Sequence, residues 1–185
     1  MKKTNDNGFS LVELIIVIAI IAILAGAMVP ALIRYMDNSK KSNDLSSAKA
    51  IKTAVETSMA NEDFSALLTT GSTTSITDLD GNTFEAVATI VVTPSTPIND
   101  TGAGITITPA ADYTVDSDTL NAAQTEIGRT LNDKTPKIEF KKAADGTHTP
   151  THFYVYVSSG GSVIVGLGST SAFYQLCPTL SKYYK

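Results

Sequence analysis

A carboxylate at the mouth of an apolar run is the most chemically pointed feature of this sequence. Glu13 leads into Leu14–Val29, LIIVIAIIAILAGAMV, which holds no charged or strongly polar side chain, and Pro30-Ala31-Leu32-Ile33 extends the run to Arg34. An ionised carboxylate at the edge of hydrocarbon is costly unless paired, so Glu13 is a functional residue by default and needs a cationic partner. Elsewhere the chemistry is sparse. His148 and His152 lack a carboxylate-and-nucleophile constellation, and there is no Gly-rich phosphate loop, zinc cluster or nucleophile elbow, so no enzyme and no cofactor is expected. Asp78-x-Asp80-Gly81-Asn82 has a calcium-loop flavour without the spaced bidentate Glu and reads as a turn. Asp112, Asp116 and Asp118 read as a solvated loop rather than a cation site, and Asn99-Asp100-Thr101 fits a glycosylation acceptor by pattern only. Cys177 is the one cysteine; it can form no intramolecular disulfide and reads as a buried small hydrophobe.

The element that positions Glu13 must be the apolar run. It approaches the roughly 20 residues that cross a bilayer as a helix, and Lys2 and Lys3 before it place the N-terminus on the cytoplasmic side. Three readings of the run compete on the residues alone: a secretory signal peptide cut near Ala25-Gly26-Ala27, a simple membrane anchor, and a buried hairpin helix of a soluble protein. Glu13 argues against the first. Pro30, which removes a backbone donor, should kink or loosen the helix, and Gly26 adds to the weakness. Ala19, Ala22, Ala25, Gly26 and Ala27 allow close approach of a neighbouring helix.

Gly8-Phe9-Ser10-Leu11-Val12-Glu13, behind a short basic leader and directly before the apolar run, resembles the class III signal of type IV pilins and the related pseudopilins. The resemblance covers residues 1 to about 60, with Glu13 and Pro30 both falling where the pattern has them. It implies that a prepilin peptidase cuts after Gly8 and N-methylates Phe9. It also implies that Glu13 of an incoming subunit meets the Phe9 amine of one already in a filament, and that the stretch around Pro30 melts locally. The partners implied are the chain itself as a helical homopolymer, the prepilin peptidase, an assembly ATPase and a platform protein. The place implied is the cell membrane before assembly and an extracellular pilus after it, serving adhesion, surface motility or aggregation. A pseudopilin of a secretion or DNA-uptake machine, or an anchored adhesin that never polymerises, shares much of this signal. With only Cys177 available, the chain looks most like the cysteine-poor pilins of single-membrane, Gram-positive bacteria.

Beyond Arg34 the pattern turns amphipathic. Leu45, Ala48, Ile51, Val55 and Met59 recur at steps of three and four, with Lys40, Lys41, Lys49, Lys52 and Glu56 between them. A helix from Phe9 to about Ala60 would be roughly 75 Å long. After it the composition shifts to Thr, Ser, Gly and Asp with short apolar runs. Expected there are strands at 86–92 and 105–108, a helix from Leu120 to Leu131 capped by Asp118 or Thr119, and an antiparallel meander of 137–142, 152–158 and 162–167. Ile138, Phe140, Phe153, Val155, Val157, Val163 and Val165 should face the amphipathic helix, and Leu67 and Leu68 should cap the helix pair.

The fold class expected is therefore α+β, a long N-terminal helix whose first half is membrane-embedded, packed on an antiparallel sheet. The domains are a cleaved leader 1–8, an assembly helix 9–60 spanning the membrane at about 14–33, and a globular head 61–185. At 185 residues this leaves one domain with an attachment, and a net charge of −4 gives no electrostatic footprint for nucleic acid.

Overall fold

A computed structural model describes residues 9–60, 64–65, 72–98, 103–110, 115–132, 134–169 and 172–185. Gly8, Leu67, Leu68, Asn99, Asp100, Thr101 and Asp112, singled out above, lie outside the described residues. The chain divides at Ser39/Lys40 into two units. In the first, helix α1 (Leu11–Ser58) begins at Leu11 and continues through Pro30. Its large apolar side chains from Leu11 to Met36 are all about half exposed or more.

From Lys40 onward α1 contributes one face to a packed α+β fold. Ala48, Ile51, Ala54 and Val55 are fully buried, with Leu45 and Met59 packed at the margin, as the three-and-four spacing requires. Against them lies a five-stranded antiparallel sheet in the order β4-β3-β5-β6-β7, built from β3 (Ala88–Val92), β4 (Ile105–Pro109), β5 (His152–Val157), β6 (Val163–Ser169) and β7 (Ala172–Cys177). Strands of this type alternate faces, so Phe153, Val155 and Val157 join the helix-side core together with Val163, Val165, Ile90 and Val92. Ile138 and Phe140 join the same core.

The other face of the sheet is also buried. Tyr154, Tyr156, Ile164 and Phe173 form a second cluster with Ala86, against which Ile76 and Phe84 pack. Those two residues belong to a hairpin of β1 (Thr74–Thr77) and β2 (Thr83–Ala86), and Ile76 is opposite Phe84 in its register. Helix α2 (Ser117–Thr130) turns Ala123 and Ile127 into the helix-side core.

Four expectations need correction. The apolar stretch 86–92 is not one strand: β2 ends at Ala86 and β3 starts at Ala88, and the chain changes sheets at Val87, whose N–H donates to Val157. Residues 137–142 join no ladder. The amides of Glu139 and Phe140 donate instead to the Asp44 carboxylate of α1, at 2.7 and 3.0 Å, so the backbone is satisfied by a side chain. The third meander strand is β7, buried at every position, which hides the period-two signal. The N-cap of α2 is Asp116, with no side-chain capping bond, and Asp118 falls in the first turn, where its charge favours the helix dipole.

The β6–β7 connection depends on small residues. A Cβ on Gly168 would stand 2.1 Å from the Ala172 carbonyl oxygen, and one on Gly166 would stand 2.2 Å from the Phe173 ring. Only glycine lets the two strands close that tightly.

Candidate functional site

The start of α1 is a capped helix end. Ser10 precedes the first helical residue and its carbonyl accepts the Leu14 amide at 3.2 Å. Glu13, three residues on, turns back and accepts the Ser10 amide at 2.9 Å, the glutamate half of a capping box. A carboxylate in the first turn also favours the helix dipole. Glu13 thus has a local role that the sequence reading did not assign. Its bond is exposed and made to a neutral amide, and the second carboxylate oxygen has no partner among the described residues.

Around that carboxylate the surface is apolar. Phe9 is 89% exposed, and within α1 the best 18-residue window reaches a mean hydropathy of 2.9 with none of it buried. A helix of this length and composition is able to cross a membrane, and none of that window is buried. Pro30 lies inside this helix, and a Cβ on Gly26 would meet nothing within 4 Å, so Gly26 leaves a shallow spot open to a neighbour.

The other sequence candidates turn out to be occupied with structure. Asp78 is buried and receives Asp80 N, Asn82 N and Asn82 Nδ2 at 2.8–2.9 Å, so its oxygens hold the β1–β2 turn. Asp80 faces Lys182, whose Nζ lies 3.7 Å away. Cys177 is buried, and burial pushes its thiol up despite Lys49 and Lys52.

His148 has a carboxylate partner: Asp145 Oδ2 lies 2.5 Å from its Nδ1. Among the described residues no serine, threonine or cysteine nucleophile completes this pair. Tyr174 instead donates its hydroxyl to Asp145 Oδ1 or to the His148 carbonyl, both at 2.7 Å. Burial alone would raise the Asp145 carboxyl, but bonds from the His148 ring, the His148 and Thr147 amides and Tyr174 more than offset it and hold it well below the usual range.

One buried charge escaped the sequence reading. Asp44 is fully buried on the core face of α1, bonded to the Glu139 and Phe140 amides some 95 residues away. Burial raises its carboxyl, the two amides lower it, Glu139 raises it, and the net direction is upward. Next to it, Lys41 donates to the Tyr183 carbonyl at 2.9 Å, with its ammonium 5.2 Å from the Phe140 ring centre. The available signal was position: Asp44 stands four residues before Ala48, in line with the apolar stripe.

Residues 3–29 match the family described as the prokaryotic N-terminal methylation motif. The chain is 40% identical over 59 residues to the type IV major pilin protein PilA of Myxococcus xanthus, which covers 32% of this chain and 27% of that protein. It is 42% identical over 55 residues to the type IV major fimbrial protein FimA of Dichelobacter nodosus, covering 30% of this chain and 35% of the relative. The chain therefore aligns with about a third or less of the length of these relatives. No solved structure matches it. The chain carries an N-terminal methylation motif and, over the aligned stretch, is homologous to type IV major pilins.

Proposed function

We propose that this chain is the precursor of a type IV pilus subunit. It is cut after Gly8, methylated on the Phe9 amine, held in the membrane by α1, and polymerised through that helix into an extracellular filament for adhesion, surface motility or aggregation. The supporting observation is the combination at the start of α1: a carboxylate at the mouth of a helix whose side chains from Leu14 to Ile33 are apolar and exposed. Such a surface is at rest only in lipid or against other copies of itself. The division that goes with this reading is a leader 1–8, an assembly helix 9–60, in the membrane at about 14–33, and a head 61–185. Its partners are other copies, a prepilin peptidase, an assembly ATPase and a platform protein.

Glu13 supplies register. Apolar helices slide past one another at little cost, whereas a desolvated charge pair has one good position. Among the described residues of the lone subunit, Glu13 holds the neutral Ser10 amide, at an exposed site. The methylated amine of Phe9 on a neighbouring subunit offers a full positive charge in a drier place, and the carboxylate exchanges the weaker partner for the stronger. Pro30 and Gly26 give the assembled helix a weak point at which it can loosen.

The test compares cells producing the native chain, Glu13→Ala and Glu13→Asp, by electron microscopy of sheared surface filaments. The native chain should form filaments, Glu13→Ala should form few or none, and Glu13→Asp should fall between them. Abundant filaments from Glu13→Ala would remove the charge-pair step, and no filaments from the native chain in a competent host would remove the subunit reading.

A further inference from the structure

The approach to β5 forms a cleft that the proposed function does not draw on. Ser95, Lys137, Lys141 and Thr151 bring polar groups to a space of about 380 Å3, whose other walls are Pro94, Ile138 and Pro150. Two of these residues are cationic, none is acidic, and the walls are apolar and stiff, which suits one small anionic group with a short organic tail.

We propose that this cleft binds a phosphate ester through Lys137, Lys141 and the Ser95 hydroxyl. Lys141 is exposed and has no ion pair among the described residues. Lys137 reaches Glu139 at 3.1 Å, an exposed pair that gives way readily to a doubly charged competitor. The Ser95 hydroxyl is likewise without a partner among the described residues. Thr151 serves as wall rather than donor, because its hydroxyl already donates to the Gly168 carbonyl at 3.0 Å.

The backbone supports the assignment independently of charge. Ser95 has φ of 59°, a left-handed conformation that non-glycine residues adopt where the surroundings impose it, often at ligand clamps. The surroundings here are specific. Buried Thr135 accepts the Thr96 amide at 2.8 Å and donates to the Thr93 carbonyl at 2.5 Å, bracketing Ser95 on both sides, and the Ser95 amide donates to Pro136. The segment that carries the hydroxyl is thereby fixed to the segment that carries Lys137.

The chemistry does not separate a lipid headgroup phosphodiester from a free phosphate ester, and two arms of one experiment do. The full chain, labelled with 15N, is titrated with glycerol 3-phosphate in nonionic micelles. In parallel it is placed in phosphatidylcholine vesicles with and without phosphatidylglycerol, and the amides of Ser95 and Thr151 are followed. Saturable shifts at both residues in either arm are expected, and the arm that responds names the source. Lys137→Gln combined with Lys141→Gln should weaken the response about tenfold or more, and Ser95→Ala should weaken it several-fold. Lys49→Gln combined with Lys134→Gln should leave it unchanged. Equal thermal unfolding of all variants separates loss of binding from loss of fold. No saturable shift in either arm, or an equal loss in the Lys49/Lys134 pair, overturns the proposal. The test needs no filament, so its outcome is independent of the pilus reading.

Discussion

Replacing Asp44 by alanine tests how α1 is joined to the rest of residues 40–185. The substitution leaves the Glu139 and Phe140 amides without their acceptor in a site where Asp44 is fully buried. Each orphaned buried donor costs about 1–3 kcal/mol. Part of that loss is returned, because the raised carboxyl shows that burial outweighs the two hydrogen bonds as far as the ionised form is concerned. A net loss of about 2–3 kcal/mol is expected. The pH dependence has a definite sign. A carboxyl whose folded pKa lies above its unfolded value contributes stability that is fully present below the unfolded pKa, near 3.8, and lost as pH rises through the folded pKa. The advantage of the native chain over Asp44→Ala should therefore narrow as pH rises above that value. Urea unfolding of both full-length chains in the same nonionic micelles, repeated across that range, reads both quantities. A loss below about 0.5 kcal/mol at every pH, within the usual scatter of surface substitutions, would show that the helix is held by apolar packing alone.

Four further outcomes follow from the geometry. Tyr174→Phe removes the hydroxyl from Asp145 and the His148 carbonyl and should cost about 1–2 kcal/mol in the same unfolding assay. Because Asp145 is held below its ordinary value, the stability it confers is present above about pH 4 and lost as pH falls below that. Asp145→Asn should accordingly flatten the acid limb, whereas an unchanged limb would show the pair to be ornamental. Gly168→Ala forces a Cβ to 2.1 Å from a backbone oxygen and should cost about 1–3 kcal/mol or prevent folding, as judged by the melting temperature; a neutral result would mean that the β6–β7 turn yields freely. Cys177, buried with its thiol pushed up, should react with a thiol reagent only on unfolding, so rapid labelling of the native chain would contradict its placement.

How much of this was legible in the sequence depended on whether one physical rule acted alone. The amphipathic stripe of Leu45, Ala48, Ile51 and Val55 was, because one face of a helix meets one core. So were β5 and β6, whose Val-rich alternation survives, and the apolar run with Glu13 at its mouth. The strand expected at 137–142 has the right alternation, yet its amides are claimed by Asp44, a long-range side-chain bond that no local pattern carries. The strand β7 was hidden because both faces of the sheet are covered, and the cover, the β1–β2 hairpin, lies in Thr- and Ser-rich sequence with little apolar signal. The same long-range character concealed the pairing of Asp145 with Tyr174, 29 residues apart. At Glu13 the sequence showed a residue in need of a partner, and only the structure shows the amide it holds meanwhile.

The most direct test of the central claim is the mass of the first peptide of the mature chain recovered from cells that make it. Sheared surface filaments are expected whose subunit starts at Phe9 and carries one added methyl group on its amine, with the whole apolar helix retained. A soluble product starting near Val29 would instead mean that the apolar run is an ordinary signal peptide, and the reading of α1 as an assembly helix would fall with it.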